Sequence, residues 1–311
     1  MTLHPQIAEA LQKLAAANLP PIHALTPEEG REQMRAVIQA RGSVPEPIRR
    51  AEDRAISGPA GAIPVRLYWP EAEAPLPVLV YYHGGGHVIG DLDTHDVICR
   101  NLAAGAGALV MAVDYRMGPE HRFPAAVEDS WAALQWIAGE AAALGGDPSR
   151  MVVAGDSAGG NLAAVMAVMA RDAGGPALRA QLLIYPVADY GLVGDSFAQF
   201  DQGFGPLTRA AMEWFRGHYL RTPADAEDWR ASPIRAASLA GLPPALFVVA
   251  GCDVLHDDSV RYADALRAAG VPVDWRFYSG MIHGFFGMTP MIDDAVDAQR
   301  VVCAELRRLL A

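Results

Sequence analysis

Gly155-Asp156-Ser157-Ala158-Gly159-Gly160 is the stretch whose reading decides the fold. It follows Met151-Val152-Val153-Ala154, a short apolar run suited to a buried strand, and precedes Asn161 to Arg171, which reads as helix. Gly155-x-Ser157-x-Gly159 at a strand-to-helix junction is a nucleophile elbow. The turn is so tight that side chains flanking the serine would clash, so glycine is needed on both sides. The hydroxyl then stands above a sheet at a helix N-terminus, which favours developing negative charge.

Working outward, the chain alternates between the two periodicities. Arg54 to Ser57 and Pro64 to Trp69 flank Gly58-Pro59-Ala60-Gly61, a hairpin signal. Apolar runs follow at Pro77 to Tyr82, Leu109 to Val113, Met151 to Ala154, Gln181 to Tyr185, Ala245 to Ala250 and Val273 to Tyr278. Several show little alternation, as expected of strands covered on both faces of a mainly parallel sheet. Helical patterns lie between them, notably at Ala125 to Ala143, Asn161 to Arg171, Ser259 to Ala269 and Asp293 to Leu310. This is the rhythm of a doubly wound α/β domain. Two stretches break it. Residues 5 to 40 read as helices interrupted at Pro20-Pro21, and residues 187 to 238 lack a strong strand. The expected organisation is therefore cap helices over 1–48, a catalytic domain from 49–186 and 236–311, and an inserted cap segment over 187–235.

A serine nucleophile needs a base and an acid that orients it. His283 lies in Gly280-Met281-Ile282-His283-Gly284-Phe285, just past the last strand. Ala245 to Ala250 runs into Gly251-Cys252-Asp253, which places Asp253 at the tip of the preceding strand. The chain order Ser157, Asp253, His283 is the one expected for an elbow on a parallel sheet. Asp257 and Asp258 compete for the acid's place but should lie a turn further on. His87, His95, His121, His218 and His256 compete for the base's, and each reads as a loop or surface residue. His83-Gly84-Gly85-Gly86 follows an early strand, and consecutive glycines let backbone N–H groups face a site unobstructed. Such donors can bind the oxyanion of a tetrahedral intermediate.

The remaining chemistry is mostly exclusion. The 311 residues carry a net charge of −11, which argues against nucleic acid or an anionic membrane as partner. Lys13 is the only lysine. Cys99, Cys252 and Cys303 are too far apart for a C-x-x-C pair, so zinc and disulfides are not expected and a reducing compartment is. Polar residues interrupt Met1 to Leu19, and no apolar run is long enough to span a bilayer, so a soluble cytoplasmic protein is expected. His83, His87 and His95 near Asp91, Asp93 and Asp96 could suggest a metal site, but no H-E-x-x-H accompanies them. No G-x-G-x-x-G opens a helix and no Gly-Lys-Ser/Thr occurs, which removes dinucleotide and nucleotide readings.

Taken together, these residues resemble the hormone-sensitive-lipase-like (family IV) bacterial carboxylesterases. The motifs are Tyr82-His83-Gly84-Gly85-Gly86, Asp114-Tyr115-Arg116 with Pro119-Glu120 and Phe123-Pro124-Ala125, Gly155 to Asn161, and His283-Gly284-Phe285. The resemblance spans residue 50 to the end. It implies an α/β-hydrolase fold with an eight-stranded sheet, a helical cap, no cofactor and no metal. It also implies an oxyanion hole from Gly85, Gly86 and the Ala158 N–H, and hydrolysis of a small-molecule ester through an acyl-serine. A homodimer is compatible with it. Two positions depart from the family pattern: Val254 stands where proline usually follows the acid, and His87 where an aromatic residue usually follows the glycines. The alternatives are an amidase or peptidase of the same fold and a non-catalytic receptor of the same fold. Phe204, Leu207, Met212 and Phe215, at helical spacing in the insertion, are expected to wall the acyl pocket together with Phe285.

Overall fold

The computed structural model describes residues 2–311. The chain opens with helices α1 (Pro5–Ala16) and α2 (Pro27–Ala40), parted by a short 3-10 turn beyond Pro20-Pro21. Thr26 starts α2 through a capping box. Its hydroxyl accepts from Glu29 N, and the Glu29 carboxylate accepts from Thr26 N at 2.8 Å. Strands β1 (Arg50–Gly58) and β2 (Gly61–Trp69) form the expected antiparallel hairpin. Then come β3 (Leu76–Tyr82), α3 (Asp96–Ala106), β4 (Leu109–Val113), α4 (Ala125–Glu140), β5 (Gly146–Asp156), α5 (Ala158–Asp172) and β6 (Leu178–Ile184). The insertion supplies the single-turn α6 (Ser196–Gln199) and α7 (Arg209–Tyr219), and β7 (Ala245–Cys252), α8 (His256–Ala268), β8 (Val273–Ile282) and α9 (Asp293–Leu310) complete the chain.

One eight-stranded sheet results, in the order β1-β2-β4-β3-β5-β6-β7-β8. β1 and β2 are antiparallel to their neighbours, and the other strands run parallel. After β3 the chain crosses to β4 on one side, then returns to lay β5 on the other. The loops at the carboxyl ends of β3 and β5 thus diverge across a crevice, where open α/β sheets place their ligands. β4 and β7 are buried along their whole length, the signature of strands covered on both faces. α5 packs against β3, β5 and β6 and is buried almost all round, which explains its run of alanine, glycine and valine. α3 pairs with α9, and α4 with α5.

Several boundaries move from their sequence positions for physical reasons. α5 begins at Ala158, three residues before its apolar periodicity starts, because the elbow passes straight into helix. β8 runs on to Ile282, past the polar Ser279-Gly280, because a bulge against β7 sets Gly251 over the Ser279 backbone. α4 stops at Glu140, and Ala142–Leu144 tightens into a 3-10 turn closed by Gly145 at φ +81°. α8 starts at His256, so Asp257 and Asp258 occupy its first turn. Among the described residues, no helix is long and apolar enough to cross a membrane.

α2 and α7 lie over the carboxyl-end loops. Arg31 of α2 donates to the carbonyls of Val88 (2.8 Å) and Gly118 (2.9 Å) and bridges the Glu120 carboxylate with two nitrogens. Trp214 of α7 donates to the Leu25 carbonyl, joining the insertion to the N-terminal segment.

Candidate active site

β5 ends at Asp156, and Ser157 turns with φ 56° and ψ −118°, a conformation L-residues adopt only under constraint. Its N–H donates to the Ile184 carbonyl at 2.8 Å, and its own carbonyl accepts from Asn161 N and Val187 N. Asn161 is buried and donates to the carbonyls of Val187 and Ala231, stapling the elbow to the loop after β6. A Cβ on Gly155 would lie 2.3 Å from Gly159, and one on Gly159 would lie 1.8 Å from the Tyr82 carbonyl oxygen. Neither contact is sterically possible, so the turn admits only glycine at these two positions.

The three residues expected to act together are brought together. Ser157 Oγ is 2.9 Å from His283 Nε2, and His283 Nδ1 is 2.7 Å from Asp253 Oδ2. Asp253 stands one residue beyond β7 with 2 % of its surface exposed, and its other oxygen accepts from Leu255 N at 2.9 Å. The ionised carboxylate can only accept, so Nδ1 carries the hydrogen and Nε2 offers its lone pair to the Ser157 hydroxyl. The His283 ring is backed by Tyr185 at a centroid distance of 4.6 Å.

The competing acids are engaged elsewhere. Asp257 Oδ2 accepts from Ser196 N, and Asp258 Oδ2 accepts from Ala188 N and Asp189 N. Burial pushes the Asp258 carboxyl up to about 7. Two of the competing histidines correct the surface reading. His87 and His95 belong to the loop after β3 but are buried, because that loop folds inward, with α2 and α7 over it, whereas His121 is exposed.

That loop is held by a polar network absent from the sequence reading. Gly84 N donates to Asp156 Oδ1 at 3.0 Å, the Tyr81 hydroxyl donates to the same oxygen at 2.7 Å, and His95 Nε2 lies 3.4 Å from it. Burial alone would push the Asp156 carboxyl up. The neighbouring His95 and the Tyr81 donor outweigh it and hold the group below the usual carboxylate range. Tyr115 donates to the His83 carbonyl at 2.6 Å and stacks on its ring at 4.4 Å. The only signal in the sequence is that Tyr81 and Asp156 end adjacent strands, and strand order is not readable there. Gly85 (φ +116°) and Gly86 (φ +63°) follow, and the Gly85 carbonyl closes the turn on Val88 N and Ile89 N. The N–H groups of Gly85, Gly86 and Ala158 donate to no acceptor among the described residues. They are unsatisfied donors on adjacent strand ends, with Ala158 also at the N-terminus of α5.

The expected pocket residues divide. Phe215 of α7 lies directly over Gly86 with the half-buried Leu207 beside it, whereas Phe204 packs edge-on against Phe200 at 5.1 Å and on the main core. Met212, on the same helix, turns into the main core with 2 % exposure. Phe285 corrects the wall assignment. It is fully buried, its ring 6.0 Å from Tyr185 and 5.3 Å from Tyr278, so it packs the base's loop from behind. Among the described residues, no group of three His, Cys, Asp or Glu side chains could hold a metal ion.

Comparison with known proteins gives a consistent picture. A family model described as the α/β-hydrolase fold matches residues 79–287. The esterase LipI of Mycobacterium tuberculosis is 43 % identical over 92 % of this chain and 91 % of its own. An ethyl acetate hydrolase of Pseudomonas putida is 38 % identical over the whole of both chains, 100 % of each. The solved structure of a hyperthermophilic esterase from Pyrobaculum calidifontis superposes with a TM-score of 0.93 at 41 % identity, covering 99 % of each chain.

Proposed function

The chain belongs to the hormone-sensitive-lipase-like branch of the α/β-hydrolase-fold family, and on that premise we propose that it is a serine carboxylesterase working through Ser157, His283 and Asp253. The observation that carries this reading is the unbroken chain of contacts from Ser157 Oγ through His283 to Asp253.

In the first step His283 Nε2 takes the Ser157 proton as Oγ attacks the ester carbonyl. Asp253 keeps the imidazole in the tautomer that can accept this proton and stabilises the cation that results. The carbonyl oxygen gains negative charge and is bound by the N–H groups of Gly85, Gly86 and Ala158, each such donor being worth roughly 3 kcal/mol of barrier. The imidazolium then returns its proton to the departing alcohol, leaving an acyl-Ser157. Water activated by the same nitrogen hydrolyses that ester and regenerates the serine.

The substrate class we assign is a small-molecule ester with a short-to-medium acyl chain. α7 sits on the oxyanion loop, with Phe215 over Gly86 and the half-buried Leu207 beside it. An added methylene gains at most about 0.8 kcal/mol where it fits and clashes where it does not, which favours chains of roughly two to eight carbons. The similarity to a protein named for ethyl acetate supports the short end of that range. A net charge of −11 argues against anionic membranes and nucleic acid as partners. Three free, buried cysteines suit a reducing, cytoplasmic compartment.

The test is Ser157→Ala assayed on p-nitrophenyl esters of increasing chain length. Activity should fall on the order of 10⁴-fold or more, with the melting temperature preserved and phosphonate labelling abolished. Hydrolysis within about tenfold of wild type would mean another residue is the nucleophile.

A further inference from the structure

His87 follows the oxyanion glycines directly, and the hydrolytic steps leave its side chain without a task. Its backbone sits at φ +59°, a left-handed conformation that histidine tolerates better than most residues. Its carbonyl accepts from Gly118 N at 2.9 Å. The ring is fully buried. It lies face to face with Tyr219 at the end of α7, at a centroid distance of 3.9 Å and an interplanar angle of 13°. Nδ1 is 2.7 Å from the hydroxyl of Tyr190, in the insertion after β6. Nε2 has no hydrogen-bond partner.

Counting donors fixes the tautomer. If Nδ1 carried the hydrogen, both the Tyr190 hydroxyl hydrogen and Nε2 would go unpaired. If the hydroxyl donates to Nδ1, only Nε2–H is left, so this arrangement costs less. Burial, followed by the neighbouring His83, pushes His87 down to about 3. The titratable groups around it are Tyr190, Tyr219, Tyr115 and His83. His87 is thus a neutral ring wedged between the cap tyrosines and the glycine loop.

We propose that His87 is a positioning residue that carries the seating of the cap, through Tyr190 and Tyr219, onto the oxyanion donor of the adjoining Gly86. This rests on the esterase reading and deepens it. The cap then acts on kcat as well as on access to the site. The departure from the usual aromatic residue acquires a reason, since a phenyl ring could stack on Tyr219 but could not accept from Tyr190.

The experiment compares wild type, Tyr190→Phe, His87→Phe, His87→Asn and the double Tyr190→Phe/His87→Phe on p-nitrophenyl acetate, a substrate too small to need the cap for binding. A displaced donor is worth up to about a hundredfold, so kcat should fall roughly ten- to a hundredfold in His87→Phe and Tyr190→Phe while KM changes little. The double variant should lose no more than the worse single. His87→Asn keeps a polar atom near Nδ1 and tolerates the left-handed backbone, so it should recover part of the loss. The acid limb of the kcat profile should not move, because His87 does not titrate there. Folded Phe variants with wild-type kcat overturn the proposal. So do a change in KM alone, which marks a pocket wall, and independent additive losses. Tyr190→Phe removes one oxygen and keeps the test open if His87 variants do not fold. If wild type itself fails to hydrolyse the ester, the esterase reading falls and this one with it. With wild type active, the variants address His87 alone.

Discussion

Replacing Gly86 by alanine puts a methyl group where α7 already stands. Its Cβ would lie 2.2 Å from Phe215 Cδ1, 2.3 Å from Cγ and 2.8 Å from Cβ. Carbon atoms in contact sit about 3.5–4.0 Å apart, so the ring must retreat by more than about 1 Å. Overpacking of this kind costs roughly 1–3 kcal/mol. Holding alanine at φ +63° adds about 1–2 kcal/mol that no movement of the ring relieves. Gly86→Ala should therefore destabilise by about 2–5 kcal/mol in all. Phe215→Ala alone empties a buried site and should cost about 3–5 kcal/mol. In the double variant the alanine methyl finds the space the ring left, so the overpacking part disappears while the backbone part stays. The double should be less destabilised than the sum of the singles by about 1–3 kcal/mol. Denaturant unfolding of the four proteins gives this coupling energy directly. kcat should follow in the same sense, falling in Gly86→Ala and partly recovering in the double, because the Gly86 N–H is retained throughout. Additivity within about 0.5 kcal/mol would refute the contact between α7 and the oxyanion loop.

Two further outcomes follow from other sites. Asp258 holds its proton up to about pH 7 in the fold, while an unfolded aspartate releases it near 3.9. Between those values the native state binds more protons, so stability falls as pH rises through that window, by up to about 4 kcal/mol. Asp258→Asn still accepts from Ala188 N and Asp189 N and does not titrate, so its stability should decline less than wild type between about pH 4 and 7. Equal slopes in melting temperature against pH would remove Asp258 as the cause. Gly159→Ala, whose Cβ meets the Tyr82 carbonyl oxygen at 1.8 Å, should lose more than about 3 kcal/mol together with all activity. Gly139→Ala in α4, with nothing within 4 Å, should gain about 0.5–1 kcal/mol. Melting curves showing the same sign for both would contradict the steric account.

The legible part of this molecule is the part written in local pattern. Buried parallel strands lack alternation, elbow glycines admit no Cβ, and Ser157, Asp253 and His283 each follow a strand end, so chain order alone assembles the site. What stayed hidden depends on strand order. That Gly84 N meets Asp156 follows only from β3 lying beside β5, which no periodicity announces. Phe285 misled because an aromatic residue beside a base reads equally well as wall or as support, and the difference is one of side-chain direction. Met212 and Phe215 are three apart on one helix, yet one enters the main core and the other covers the glycine loop after β3. His87 was visible as an oddity, but its meaning needed the two tyrosines that the insertion brings to it.

The backbone angles of Ser157 have a consequence for descent. At φ 56° and ψ −118° every L-residue is strained, by about 1–3 kcal/mol, and only the rigid sheet around the elbow holds it there. Selection for turnover keeps a serine where thermodynamics favours glycine. In a lineage that no longer needs turnover, Ser157 should give way to glycine before His283 or Asp253 changes, since losing those would relieve no strain. Duplicated copies of such a chain that have drifted into binding or scaffolding roles should carry that mark at the elbow first.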